Sequence, residues 1–68
     1  MASIIKYKLE LFGGPKDMAI RYYNSLSIAL RVANSYMTRN RDYPEQIGYE
    51  IHEVYNDHTT RLTVCKLS

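Results

Sequence analysis

Two changes of period along the chain constrain its fold more than any other feature. From Ser3 to Phe12 the residues alternate, with Ile5, Tyr7, Leu9 and Leu11 on one side and Lys6, Lys8 and Glu10 on the other, the two-residue repeat of a half-buried strand. Gly13-Gly14-Pro15-Lys16-Asp17 interrupts the alternation with turn-forming residues, and Met18 to Tyr23 resumes it. Setting Leu11 opposite Met18 places Leu9 against Ile20 and Tyr7 against Tyr22 on the inner face, and Lys8 against Arg21 on the outer face.

At Asn24-Ser25, two residues able to cap a helix, the spacing lengthens. Leu26, Ala29, Leu30, Ala33, Tyr36 and Met37 then recur at steps of three and four, with Ser27, Arg31, Asn34, Ser35 and Thr38 opposite. This predicts an amphipathic helix from Asn24 to Arg39, whose small Ala29 and Ala33 let it lie close to a sheet. Arg39 and Arg41 suit the negative end of its dipole, and Pro44 prevents continuation. Alternation returns from Ile47 to Tyr55 and from Thr59 to Leu67 around Asn56-Asp57, read as a two-residue turn. That turn sets Ile51 against Leu62 and Tyr49 against Val64 on the core face, leaving Glu50, His52, Arg61, Thr63 and Cys65 outside. The expected fold is α+β: one domain over residues 1–68, in the order β-β-α-β-β, with an antiparallel four-stranded sheet covered on one face by the helix.

A chain of 68 residues has room for one core. With 46% hydrophobic and 24% charged residues it has the composition of a folded domain. The net charge of +2 implies no broad phosphate-tracking surface, and its sign is wrong for a protein that imitates DNA. Cys65 is the single cysteine, which speaks against both an intrachain disulfide and a thiolate zinc site and fits a reducing compartment. No apolar run approaches the roughly 20 residues of a membrane span, so a cytoplasmic protein without membrane contact is expected.

The uncovered sheet face is the first candidate site. Lys6, Lys8, Arg21 and Tyr23 fall on it in this register, with Glu50, His52 and Arg61 from the second hairpin; basic side chains beside an aromatic can hold a phosphate backbone and stack a base. The ordinary explanation of such a face is the wetted side of an antiparallel sheet. Arg39, Arg41 and Tyr43 form a second basic cluster in the loop after the helix. They would contact an acidic partner or nucleic acid, or cap the last helical carbonyls.

No catalytic residues are expected. His52, His58, Glu53, Asp57 and Cys65 lie near one another in sequence or in pairing, and His52 and Cys65 share the outer face. However, no third orienting group or recognised ligand spacing accompanies them, so neither a metal nor another cofactor is assigned. Gly13-Gly14-Pro15-Lys16 lacks the spacing of a phosphate loop and leads into a strand.

The order hairpin, helix, hairpin, with a helix beginning Ser25-Leu26-Ser27-Ile28-Ala29-Leu30-Arg31-Val32-Ala33-Asn34, resembles the small proteins that bacteriophages encode against host defences, in particular certain type I anti-CRISPR proteins. The resemblance implies a non-enzymatic inhibitor that occupies the surface of a bacterial protein or nucleoprotein complex in the host cytoplasm. It carries no site residue over to this chain. Direct nucleic-acid or nucleotide binding is the alternative, and a homodimer built on the open face or a strand edge is a third option.

Overall fold

A computed structural model describes residues 2–14 and 19–68 of the chain. The elements are β1 (Ile4–Phe12), β2 (Ala19–Tyr23), α1 (Leu26–Arg39), β3 (Gly48–Tyr55) and β4 (Thr60–Leu67). All neighbouring strands are antiparallel, in the order β2-β1-β3-β4, and α1 lies on one face. The expected α+β architecture is the one observed. The two hairpins meet along β1 and β3, which puts the strands richest in buried residues at the centre of the sheet. Among the described residues no helix is long and apolar enough to cross a membrane.

Helix α1 begins where the sequence indicates, because the Ser25 hydroxyl accepts a hydrogen bond from the Ile28 amide. It ends at Asn40, whose backbone and side-chain amides both donate to the Tyr36 carbonyl. Ala29 and Ala33 are fully buried, and with no side chain beyond Cβ they let the helix settle onto Leu9, Leu11, Tyr49 and Ile51. Ile47 completes this core from the segment before β3. Each fully buried Leu or Ile contributes on the order of 1.5–3 kcal/mol relative to an exposed position. The Tyr36 hydroxyl crosses to the first hairpin and donates to the Gly13 carbonyl at 2.6 Å. Gly13 and Gly14 take successive left-handed conformations, φ 73° and 65°, which bend the chain beneath that hydroxyl.

The pairing of the first hairpin differs from the expected register by one residue. Tyr7 opposes Tyr23, Lys8 opposes Tyr22, Leu9 opposes Arg21 and Leu11 opposes Ala19; the expected partner of Leu11, Met18, lies outside the described residues. Since side chains alternate between faces, one step exchanges every β2 side chain. Ala19, Arg21 and Tyr23 turn toward the helix, and Ala19 and Tyr23 pack against the core. Ile20 and Tyr22, expected inside, lie on the open face with 48% and 54% of their surface exposed. The β2 sequence carries an apolar or aromatic residue in both phases, so alternation alone does not choose between them. Ile5 also leaves the expected inner row. Ile4 pairs with Tyr55 and Lys6 with Val54, so Ile5 is an extra residue in β1, and it is exposed.

The second hairpin departs twice. Its turn has three residues, not two: the Tyr55 amide donates to the Thr59 carbonyl, the His58 amide donates to the Tyr55 carbonyl, and His58 adopts φ 72°. This is a turn closed by a left-handed residue. Further along, Leu62 opposes His52 while Val64 opposes Ile51, leaving Thr63 as the additional residue of a β-bulge. Tyr49, Ile51 and Val64 therefore keep the inward positions expected of them, but Leu62 moves to the open face and is half exposed. Arg61, expected outside, pairs with Glu53 in the inward phase.

Two expected results arise from this turn. A non-glycine side chain in the left-handed region is strained, so His58→Gly should raise stability by roughly 0.5–1 kcal/mol, read as a higher denaturation midpoint with an unchanged slope. The Asp57 carboxylate accepts from the Thr59 hydroxyl at 2.6 Å and the Thr59 amide at 3.0 Å. These bonds, the hydroxyl first, hold its pKa below the ordinary value of 3.8. A carboxyl whose pKa is lower folded than unfolded adds stability above the unfolded value and loses it as pH falls through the folded one. An NMR carboxyl titration should therefore place Asp57 below 3.8, and Asp57→Asn should remove its part of the acid limb of the stability curve.

Candidate functional site

The one-residue register step in β2 builds the most distinctive site of the molecule. It turns Arg21 toward the helix side, where α1 and β2 leave an open cleft of about 610 Å³. Arg31, Ser35 and Arg39 follow one another at four-residue intervals along α1, so all three occupy one stripe of the helix. They line the cleft with Arg21 and Asn40, while Leu11, Tyr23, Val32 and Tyr36 form its apolar and aromatic part. Three guanidinium groups from two elements thus share one concavity.

Among the described residues no carboxylate lines this cleft, and none lies within ion-pair distance of Arg21, Arg31 or Arg39. Like charges held together repel, and an entering anion relieves that repulsion. Arginine suits the role because its planar fork offers paired donors to phosphate or carboxylate oxygens. Arg41 and Tyr43 follow the helix end on the exposed loop. Arg41 meets Asp42 only at 3.9 Å with both side chains in solvent, and the Tyr43 amide donates to the Asn40 carbonyl.

The residues singled out in the sequence are divided between two faces. Arg21, Tyr23 and Arg39 come together in the cleft. Lys6 and Lys8 lie on the opposite, open face beside Tyr22, Glu10, Glu50 and His52. There Lys6 sits 4.5 Å from the centre of the Tyr22 ring, and Lys8 is 2.9 Å from a Glu10 carboxylate oxygen. That hydrogen bond raises the Lys8 pKa above its ordinary value, with the Glu10 charge assisting and partial desolvation opposing. Glu10 and Glu50 balance the two lysines, so the open face presents no net basic patch. Its exposed residues include the apolar Ile20, Tyr22, Leu62 and Leu67.

Arg31 and Ser35 are cleft residues that the sequence pattern places simply on the wetted side of the helix. Their signal is the four-residue spacing with Arg39, which acquires meaning only once β2 supplies Arg21 across from it. Comparison with protein-family models, with curated proteins and with solved structures finds no match to this chain.

Proposed function

We propose that this chain is a non-enzymatic binding domain that holds the phosphate backbone of a single-stranded nucleic acid in the arginine cleft. The observation carrying this reading is the convergence of Arg21, Arg31 and Arg39 in one concavity that, among the described residues, no carboxylate lines. Phosphates bind the guanidiniums, the Ser35 hydroxyl and Asn40 amide add neutral donors, and the half-buried Tyr23 gives an aromatic face for a base. A flexible strand can enter a concave cleft more readily than a convex duplex can. The nearby Arg41 and Tyr43 extend the contact beyond the cleft mouth.

Fluorescence anisotropy with a short labelled single-stranded oligonucleotide tests the reading. Three to four phosphate contacts predict a dissociation constant on the order of 1–100 µM at physiological salt and a log–log salt slope of about −2 to −3. Absence of binding at millimolar protein, or binding indifferent to salt, would exclude it.

A second reading rests on the apolar residues of the open face. Ile20 and Tyr22 on β2 and Leu62 and Leu67 on β4 expose about half of their surface, giving the open face an apolar strip along each outer edge on which a partner protein could dock. In this reading the chain is a phage or mobile-element protein that inhibits a bacterial protein or nucleoprotein complex in the host cytoplasm. A surface that normally binds DNA is basic and would repel the arginine cleft, so docking would use the open face. Capture from nuclease-treated bacterial lysate would then retain a defined complex, and Ile20→Glu with Leu62→Glu would release it; survival of capture in that variant would exclude the open face.

A further inference from the structure

We infer that Glu10, Glu50 and His52 on the open sheet face, with Cys65 beside them, form a binding site for a divalent transition-metal ion of the zinc class. Glu10 on β1 stands directly opposite Glu50 on β3, and Glu50 directly opposite Cys65 on β4. His52 follows two residues after Glu50 and therefore projects from the same face. The topology thus joins donors from three strands, and it supplies the further groups that sequence spacing around His52 and Cys65 lacked.

The distances suit a small tetrahedral ion. His52 Nε2 is 3.1 Å from Glu50 Oε1 and 3.9 Å from Glu10 Oε2, and Cys65 Sγ is 4.0 Å from Glu50 Oε2. One ligand atom from each of Glu10, Glu50 and His52 lies within 4.8 Å of the others. Bonds of about 2.0–2.3 Å in tetrahedral geometry separate ligand atoms by roughly 3.3–3.8 Å, so small side-chain rotations bring Glu10, Glu50 and His52 onto one ion, and a turn of the exposed Cys65 side chain, which lies outside that group of three, supplies the fourth ligand. Lys8 takes the other Glu10 oxygen, orienting that carboxylate with Oε2 toward His52, in the manner of an outer-shell partner.

Electrostatics gives an independent reason to expect a cation. Two carboxylates directly opposed across strands repel, and here they are held half-buried, with side-chain exposures of 24% and 31%. Lys8 offsets one charge. A divalent ion bound by both carboxylates and the Cys65 thiolate would bring the cluster with Lys8 to neutrality. Imidazole and sulfur donors select zinc-class ions over magnesium or calcium, which prefer oxygen. On binding, the Cys65 S–H bond releases its proton to solvent as the S–metal bond forms, so affinity rises with pH. The ion would also fasten β4, whose described contact with the core is Val64.

The test is a Co²⁺ titration of the reduced, metal-free full chain followed by absorption. One equivalent should produce the intense visible bands of tetrahedral cobalt and a near-ultraviolet thiolate charge-transfer band, both bleached by Zn²⁺. His52→Ala and Glu10→Gln should each weaken cobalt binding at least tenfold while far-ultraviolet circular dichroism stays native. Cys65→Ser should lose the charge-transfer band, and His58→Ala should change nothing. Absence of the visible bands in the reduced native chain would overturn the assignment, as would undiminished affinity in folded His52→Ala or Glu10→Gln.

Discussion

Replacing Arg21 and Arg39 together with glutamate is expected to reduce affinity for a single-stranded oligonucleotide by at least about 100-fold. Each guanidinium is placed to make a charge-assisted hydrogen bond to phosphate, worth about 1.5–3 kcal/mol, or roughly 10- to 100-fold in affinity, and reversal adds repulsion. Stability should fall by no more than about 1–2 kcal/mol, because both side chains are exposed and the cost beyond the usual surface range comes from placing a carboxylate where Arg39 suits the C-terminal end of the helix dipole. The matched control is Lys6→Ala with Lys8→Ala on the other sheet face. Those lysines lie across the sheet from the cleft, where exposed charges are screened beyond a Debye length of about 8 Å, so affinity should fall by less than about threefold. Equal losses in the two double variants would show that affinity follows overall charge and not the cleft. Anisotropy titrations at fixed salt measure both.

The second large effect concerns the core. Ile51 is fully buried between α1 and the centre of the sheet, and Ile51→Ala should cost about 2–5 kcal/mol through lost burial and the cavity left behind. A domain of this size has a total stability of roughly 3–10 kcal/mol, so the variant should lose a large fraction of it, read as a denaturation midpoint far below that of the parent. Leu62→Ala, by contrast, should cost less than about 1 kcal/mol, because half of that side chain is in solvent. Had the second hairpin closed on a two-residue turn, Leu62 would face Ile51 in the core and the two substitutions would be comparably severe. Urea denaturation of the pair therefore reads out the register of β3 and β4 as well as the depth of the core.

The contrast between these residues explains what was legible in the sequence. The helix could be read because Ala29, Ala33 and Tyr36 repeat with its period and Ser25 caps it. The hairpins could be read because their alternation is bounded by turn residues. Registers were harder, since they depend on backbone choices that composition constrains weakly. In Ala19–Tyr23 both phases carry an apolar or aromatic side chain, so alternation does not say which of them faces inward. At the second turn a histidine occupies a left-handed position more often filled by glycine, and this adds a residue that Asn56-Asp57 alone did not announce. The extra residues Ile5 and Thr63 carry no local signature.

The candidate sites inherited those displacements. The seven candidate binding residues show their chemistry in the sequence, but their grouping requires the sheet. One step of register sent Arg21 and Tyr23 from the company of Lys6 and Lys8 to that of Arg31 and Arg39. The same topology brought Glu10 beside His52 and Glu50 from a strand about 40 positions earlier, a juxtaposition that no local spacing encodes.

The most direct measurement is amide chemical-shift mapping of the ¹⁵N-labelled chain during titration with a single-stranded oligonucleotide. If the arginine cleft is the binding surface, the largest changes fall on Arg21, Tyr23, Arg31, Ser35, Arg39 and Asn40. If they fall instead on Ile20, Tyr22, Leu62 and Leu67, the ligand occupies the open face and the cleft is not the site.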